Sequence, residues 1–264
     1  MSTTPRLVAR DLAIAFGGVH ALDGVDLELA GGEIRGVIGP NGAGKTTLLN
    51  VISGLNRPQR GDIRLDGRPI VGLKPSRIAA LGLARTFQTT QLFRGMTVLE
   101  NVMTGLHGRL RTGVFGAAFG RRALHDEEAD AARRAHGILE FVGMAQFESR
   151  LATELSFGQQ RVVEIARALV NEPTVLLLDE PAVGLSLNRV AEVDALLRRI
   201  RDERGVTIVL IEHVIRLVMD VSDTITVLNY GKKLAEGTPD AIRTSPAVIE
   251  AYLGRDLYAR SPAP

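Results

Sequence analysis

Nine consecutive residues, Gly39-Pro40-Asn41-Gly42-Ala43-Gly44-Lys45-Thr46-Thr47, constrain this chain more than any other stretch of it. They fit G-x-x-x-x-G-K-[ST] at every required position. Glycines there let backbone N–H groups turn inward around phosphate oxygens. Lys45 is expected to reach the β- and γ-phosphates of a nucleotide such as ATP, and the Thr46 hydroxyl to hold Mg2+. Glu33–Ile38 reads as a short apolar-rich strand leading into the loop. Leu48–Ile52 reads as a helix whose N-terminal partial positive charge faces the anion. A strand–loop–helix order of this kind points to an α/β fold.

A phosphate loop specifies a nucleotide but not a task. Thr174-Val175-Leu176-Leu177-Leu178-Asp179-Glu180 is a continuous apolar strand that ends in two acids. Continuous apolarity suits a strand buried on both faces of a largely parallel sheet. Its carboxyl end is where ligands bind in such sheets. Asp179 is expected to assist Mg2+, directly or through water, and Glu180 to orient or deprotonate an attacking water. The competing reading is a pair of solvated acids in a turn.

The rest of the chain is patterned for a mixed sheet with added subdomains. Leu7–Phe16 and Ala21–Leu29 read as antiparallel strands, and Gly61–Gly67 as a short strand between turn residues. Residues 92–154 change to helices and loops. Within them Asp126–Val142 carries Ala131, Ala135, Ile138, Leu139 and Val142 on one helical side. Strand–helix alternation resumes with a helix over Gln159–Val170, whose Val162, Ile165, Ala166 and Leu169 form an apolar stripe. It continues as strand Val175–Leu178, helix Leu187–Arg204, strand Val206–Ile211, helix Val214–Val221 and strand Thr224–Leu228. A hairpin turn over Asn229–Lys232 follows. The expectation is one domain over 1–264, with a catalytic core of 1–91 and 155–264 and a helical subdomain of 92–154.

Leu155-Ser156-Phe157-Gly158-Gln159-Gln160-Arg161 precedes the acidic strand, and here the chain resembles the ATP-binding cassette (ABC) ATPases. Their signature is usually Leu-Ser-Gly-Gly-Gln, so Phe157 departs at the third position. The resemblance implies that Ser156, Gly158 and Gln159 face phosphate at a helix start. Gln88, in Arg85-Thr86-Phe87-Gln88, resembles the glutamine that senses Mg2+ and the attacking water. His213 follows the strand Val206–Ile211 and resembles the switch histidine that contacts the γ-phosphate; its alternative is a histidine that merely caps a strand. The usual next residue is Asp, and Val214 in its place predicts a loss of helix capping. Gly184-Leu185-Ser186 resembles the loop crossing a dimer interface, with Ser186 where Asp or Asn is common. Phe16 resembles the aromatic that stacks on adenine. It also shares a strand face with Leu12 and Ile14, so a core role stands beside that one. The implied fold is the P-loop NTPase fold of ABC ATPases: a mixed sheet core, an antiparallel β subdomain and an inserted α-helical subdomain.

Several further stretches resemble the ATP-binding subunits of branched-chain amino acid importers, in particular the longer of their two ATPases. They include Ala84–Gln88, Phe93–Val102, Asp179–Leu185, Val227–Gly231, Ala235–Pro239 and Pro246–Gly254. Urea and amide importers share much of this pattern, an exporter ATPase has the same fold, and a soluble ABC ATPase is a further alternative. The resemblance implies ATP and Mg2+ as ligands and a second ABC ATPase subunit, identical or different, as partner. It also implies two transmembrane permeases, an extracytoplasmic substrate-binding protein and a peripheral place on the cytoplasmic face of the membrane. Leu106–Arg122, apolar and glycine-rich among arginines, reads either as an element touching the membrane partner or lipid headgroups, or as a loop on the helical subdomain. Apolar Leu92, Phe93, Met96, Val98 and Leu99 read either as a docking patch or as core.

Composition agrees. At 45% hydrophobic over 264 residues the chain can bury a sizeable core. A formal net charge of +2 gives no reason to expect nucleic acid. The absence of cysteine removes disulfide and thiol chemistry. The start lacks the apolar core of a signal peptide, and no apolar run approaches the ~20 residues that span a bilayer.

Overall fold

A computed structural model describes residues 5–88, 91–108 and 121–253. In chain order its elements are β1 (Leu7–Phe16), β2 (Val19–Leu29), β3 (Ile34–Ile38), α1 (Lys45–Ile52), β4 (Arg60–Leu65), β5 (Arg68–Pro69), α2 (Pro75–Ala80), β6 (Leu83–Arg85), α3 (Val98–Met103), α4 (Arg121–Phe141), α5 (Phe157–Leu169), β7 (Val175–Asp179), α6 (Leu187–Arg204), β8 (Thr207–Ile211), α7 (Ile215–Val221), β9 (Thr224–Asn229), β10 (Lys232–Gly237), α8 (Pro239–Arg243) and α9 (Pro246–Leu253).

A six-stranded sheet runs β10-β9-β3-β8-β7-β6. The pairings among β9, β3, β8, β7 and β6 are parallel, and β10 closes the edge antiparallel to β9. A separate antiparallel sheet runs β2-β1-β4-β5. The continuous apolar strand explains the layering, because successive side chains point to opposite faces. Leu176 and Leu178 pack with α4, α5 and α6 on one side. Val175 and Leu177 pack on the other with α1 and the inner face of the antiparallel sheet. β7 is thus buried along its whole length.

Tight turns follow residue chemistry. Asp66-Gly67 joins β4 to β5 and Tyr230-Gly231 joins β9 to β10, with both turn residues at positive φ in each case. That is the hairpin geometry whose twist matches paired strands.

Residues 92–154 contain no strand among those described, only an isolated bridge between Thr97 and Leu151. Ala131, Ala135, Ile138 and Leu139 of α4 are buried and Val142 packs against them, as the periodicity predicts. The stripe on α5 needs correction. Its buried residues are Arg161, Val163, Glu164, Ile165, Ala166 and Leu169, whereas Val162 is only half-buried. This helix also begins at Phe157 rather than Gln159. The strand β6 and helix α3 were not expected. Val98 belongs to the core and half-buried Leu92 and Leu99 pack against it, while Phe93 and Met96 are 52% and 37% exposed. Most of Leu106–Arg122 lies outside the described residues. Leu106 is buried, and Arg121 and Arg122 lie on the first turn of α4.

Candidate functional site

The loop 39–47 leaves β3 and enters α1 at Lys45, with Gly44 as N-cap in a left-handed conformation, φ 101°. A Cβ on Gly44 would sit 2.3 Å from the Ala21 carbonyl oxygen. Glycine is therefore required there on two counts, the backbone dihedral and the approach of β2. The N–H groups of the first helical turn have no intrahelical acceptor and present a partial positive charge. The Lys45 ammonium is folded back on the loop, donating to the carbonyls of Gly39 (2.7 Å) and Pro40 (3.0 Å). Burial pulls its pKa down, opposed by the charges of Glu180 and Asp179. A cleft of about 440 Å³ joins the loop to residues distant in sequence: Asn41 to Thr47, Ala21, Gln88, Glu180 and His213.

Glu180 is the hub of that cleft. It follows β7 with φ 54°, a left-handed backbone that costs a residue bearing a Cβ about 1–2 kcal/mol. Its N–H donates to the Ile211 carbonyl at 2.9 Å, which ties the turn to β8. The Gln88 amide donates to Oε2 at 2.8 Å, and His213 Nε2 lies 2.8 Å from Oε1. Two side chains, from beyond the ends of β6 and β8, thus meet on the carboxylate that follows β7. Strain of this kind is characteristic of functional sites.

Asp179 stands one residue back and is buried. Arg85 Nη2 donates to its Oδ2 at 3.2 Å, whereas Oδ1 has no hydrogen-bond partner among the described residues. Burial pushes its pKa up, against the lowering effect of Arg85. Arg85 also donates to Asn50 Oδ1 (2.7 Å) and Ser53 Oγ (3.0 Å), so it links β6, β7 and α1.

Glu212, which supports the site from behind, did not enter the expected set of site residues. It is buried, with Oε1 accepting from the Ala182 N–H at 2.5 Å and Oε2 from the N–H groups of His213 (3.0 Å) and Val214 (3.2 Å). It fixes both loops that flank Glu180, and burial raises its pKa. A third acid at a strand end, just before His213, was its only sequence signal. Val214, the N-cap of α7, gives no side-chain cap, as its identity predicts; the Glu212 carboxylate binds the N–H groups of His213 and Val214, just before the helix.

The signature residues lie elsewhere. Ser156 caps α5 in a capping box with Gln159: each residue's backbone N–H is bound by the other's side chain. Gly158 and Gln159 line a separate pocket with Leu185 and Arg189. None of the three lines the phosphate-loop cleft. Ser186 is the N-cap of α6 without a side-chain hydrogen bond. Phe16 is 49% exposed at the end of β1, which removes the core reading. Like Gly39, Pro40 and Asp179, it is not part of the cleft lining.

The chain matches the family model for the ABC transporter over residues 22–183, and that for the branched-chain amino acid ATP-binding cassette transporter over 232–258. It is 45% identical to the high-affinity branched-chain amino acid transport ATP-binding protein LivG of Salmonella typhimurium, covering 95% of this chain and 98% of the relative. It is 44% identical to BraF of Pseudomonas aeruginosa over the same shares. A nucleotide-free ATP-binding cassette from an ABC transporter superposes with a TM-score of 0.84 at 31% identity, covering 96% of this chain and all of that one. A dimeric cassette in a post-hydrolysis state bound to ADP and Pi gives 0.74 at 27% identity, covering 88% and 98%. The chain belongs to the ATP-hydrolysing subunits of the ABC transporter family, in the group that holds LivG and BraF.

Proposed function

We propose that ATP is hydrolysed at the cleft beside the phosphate loop and that hydrolysis drives import of branched-chain amino acids. The observation that carries the chemistry is the Glu180 carboxylate, set at the cleft by Gln88 on one oxygen and His213 on the other. Lys45 exchanges its two loop carbonyls for β- and γ-phosphate oxygens, with the loop N–H groups around them. Glu180 orients the attacking water and takes its proton. His213 donates to the γ-phosphate. Phe16, exposed at the end of β1, is available to stack on adenine. Catalysis is positioning plus electrostatic stabilisation of an in-line displacement.

The donor set fits Mg2+. A buried carboxylate oxygen of Asp179 without a partner and an exposed Thr46 suit a hard, oxygen-seeking cation. Thr46, Gln88 and Asp179 would hold it, Asp179 directly or through water. When bound, the ion would neutralise charge on the phosphate oxygens.

The partners follow from the family to which the chain belongs. Ser156, Gly158 and Gln159 do not line the cleft of their own subunit, and in keeping with the resemblance to ABC ATPases they serve the nucleotide of a second ABC ATPase subunit, a copy or a different chain. The dimeric state of a relative supports this. Among the described residues no helix is long and apolar enough to cross a membrane. The likeness to branched-chain amino acid transport ATP-binding proteins supports two permeases and a substrate-binding protein as further partners, with this subunit peripheral on the cytoplasmic face. A groove of about 810 Å³, lined by Phe87, Phe93, Met96 and Arg167 among others, offers the permeases an apolar seat beside Gln88. Its lining comes from residues 85–91 and 164–168 on one side and 93–107 on the other, which we read as the seam between a core of 1–91 and 155–264 and a helical subdomain of 92–154. The substrate class rests on the names of the relatives and on the C-terminal family match. The test is uptake of labelled leucine, isoleucine and valine by vesicles carrying this subunit with its permeases and binding protein. ATP-dependent leucine uptake is expected; uptake of urea or an amide alone would overturn the substrate.

A further inference from the structure

We propose that Arg161, paired with Glu164 on α5, is a positioning residue for hydrolysis that acts through Gln88. The inference rests on the role given above to Gln88 and Glu180. Both members of the pair are buried, with side chains 5% and 3% exposed. Arg161 Nη1 donates to the Phe87 carbonyl and to Glu164 Oε2, both at 3.1 Å. Its Nη2 donates to the Gln88 carbonyl. Glu164 Oε1 accepts from the Gln91 N–H at 2.7 Å, and Arg167 donates to the Gln91 carbonyl at 2.7 Å. One buried ion pair therefore grips the backbone at Phe87, Gln88 and Gln91, the stretch that presents the Gln88 amide to Glu180.

The physical reason points to geometry rather than stability. A buried ion pair gives little net stability over apolar residues of similar volume. What it supplies here is a planar fork that reaches two successive carbonyls, which a lysine ammonium does not reproduce. The unusual third signature residue completes the arrangement. The Arg161 guanidinium lies 5.0 Å from the centre of the Phe157 ring, which is 45% exposed. A Cβ on Gly184 would come within 3.4 Å of that ring, so Phe157 packs against the loop that follows Glu180. A contiguous chain runs from the Gly184 loop through Phe157, Arg161 and Gln88 to Glu180. An arrangement of this kind lets the signature end of α5 bias the water-activating carboxylate of its own subunit. Contiguity alone is not coupling, so the test measures coupling.

The test is a double-mutant cycle on the full chain, read as steady-state ATPase over a range of Mg-ATP concentrations that gives kcat and KM, with thermal unfolding of every variant. Gln88→Ala and Arg161→Met are each expected to lower kcat about tenfold or more with KM little changed, and the double variant to fall no further than Gln88→Ala. Arg161→Lys should behave like Arg161→Met, because it keeps a cation for Glu164 but loses the fork; it carries the cycle if the Met variant does not fold. Independent, multiplying losses in the double variant would overturn the inference. So would wild-type kcat in Arg161→Lys, or a change confined to KM. If Gln88→Ala alone leaves kcat intact, the reading of Gln88 fails first and this inference with it. A loss in Gln88→Ala that Arg161→Met multiplies sinks only the inference.

Discussion

Replacing Arg85 by methionine should destabilise the protein in a pH-dependent way. Arg85 is the only hydrogen-bond donor to Asp179 among the described residues, and both side chains are buried. The substitution leaves a carboxylate without its cation and strips Asn50 Oδ1 and Ser53 Oγ of a donor. Breaking a buried pair in this manner costs about 3–5 kcal/mol. The sign of the pH dependence follows from Asp179, whose pKa in the folded protein is already raised from 3.8 by burial. Such a group contributes stability that is fully present below the unfolded pKa and is lost as pH rises through the folded one. Removing Arg85 raises the folded pKa further, so the loss continues to a higher pH. Urea unfolding followed by circular dichroism should show a small deficit at about pH 4 and the full deficit near pH 8. A deficit that is flat with pH, or below about 1 kcal/mol throughout, would refute the reasoning.

Three further outcomes are expected. Lys45→Ala should weaken binding of a fluorescent ATP analogue in titration, since the charge facing the β- and γ-phosphates is lost; unchanged affinity would contradict the loop's role. Ser156→Arg in a Glu180→Gln background should bind nucleotide but stay monomeric by size-exclusion chromatography with Mg-ATP, whereas a dimer that still forms would argue against the two-subunit site. Phe93→Asp should leave the ATPase of the isolated subunit largely intact, because Phe93 is exposed, and should uncouple it from uptake in the assembled transporter. Normal uptake by a folded variant would exclude this groove as the permease contact.

The frame was legible because its strongest signals are local. Gly39 to Thr47 required a phosphate loop. The run Val175 to Leu178 required a strand buried on two faces, and the helix expected over Leu187–Arg204 is α6. β6 was not legible. It has three residues, is held by pairing with β7, and carries an arginine whose burial depends on Asp179, Asn50 and Ser53. α3 was hidden for a related reason. Fully buried Asn101 reads as polar surface in sequence, yet its amide binds the carbonyls of Phe93, Met96 and Thr97 and shapes the loop that exposes Phe93 and Met96. On α5, Arg161 and Glu164 lie outside the expected apolar stripe of Val162, Ile165, Ala166 and Leu169, yet both are buried. Only the loop packed above them makes them core. The candidate ligand-binding residues lie in recognisable motifs, whereas the groups packed around them, such as Arg85 and Glu164, act across long sequence separations and leave no periodic trace.

The most direct test of the proposed chemistry is the turnover of Glu180→Gln at saturating Mg-ATP, measured beside its ATP affinity. The amide keeps the size of the side chain and can still meet His213 and Gln88, but it cannot take the proton of the attacking water. The account requires kcat to fall by about 10²–10⁴-fold with nucleotide binding retained. Turnover near that of the wild type would contradict it.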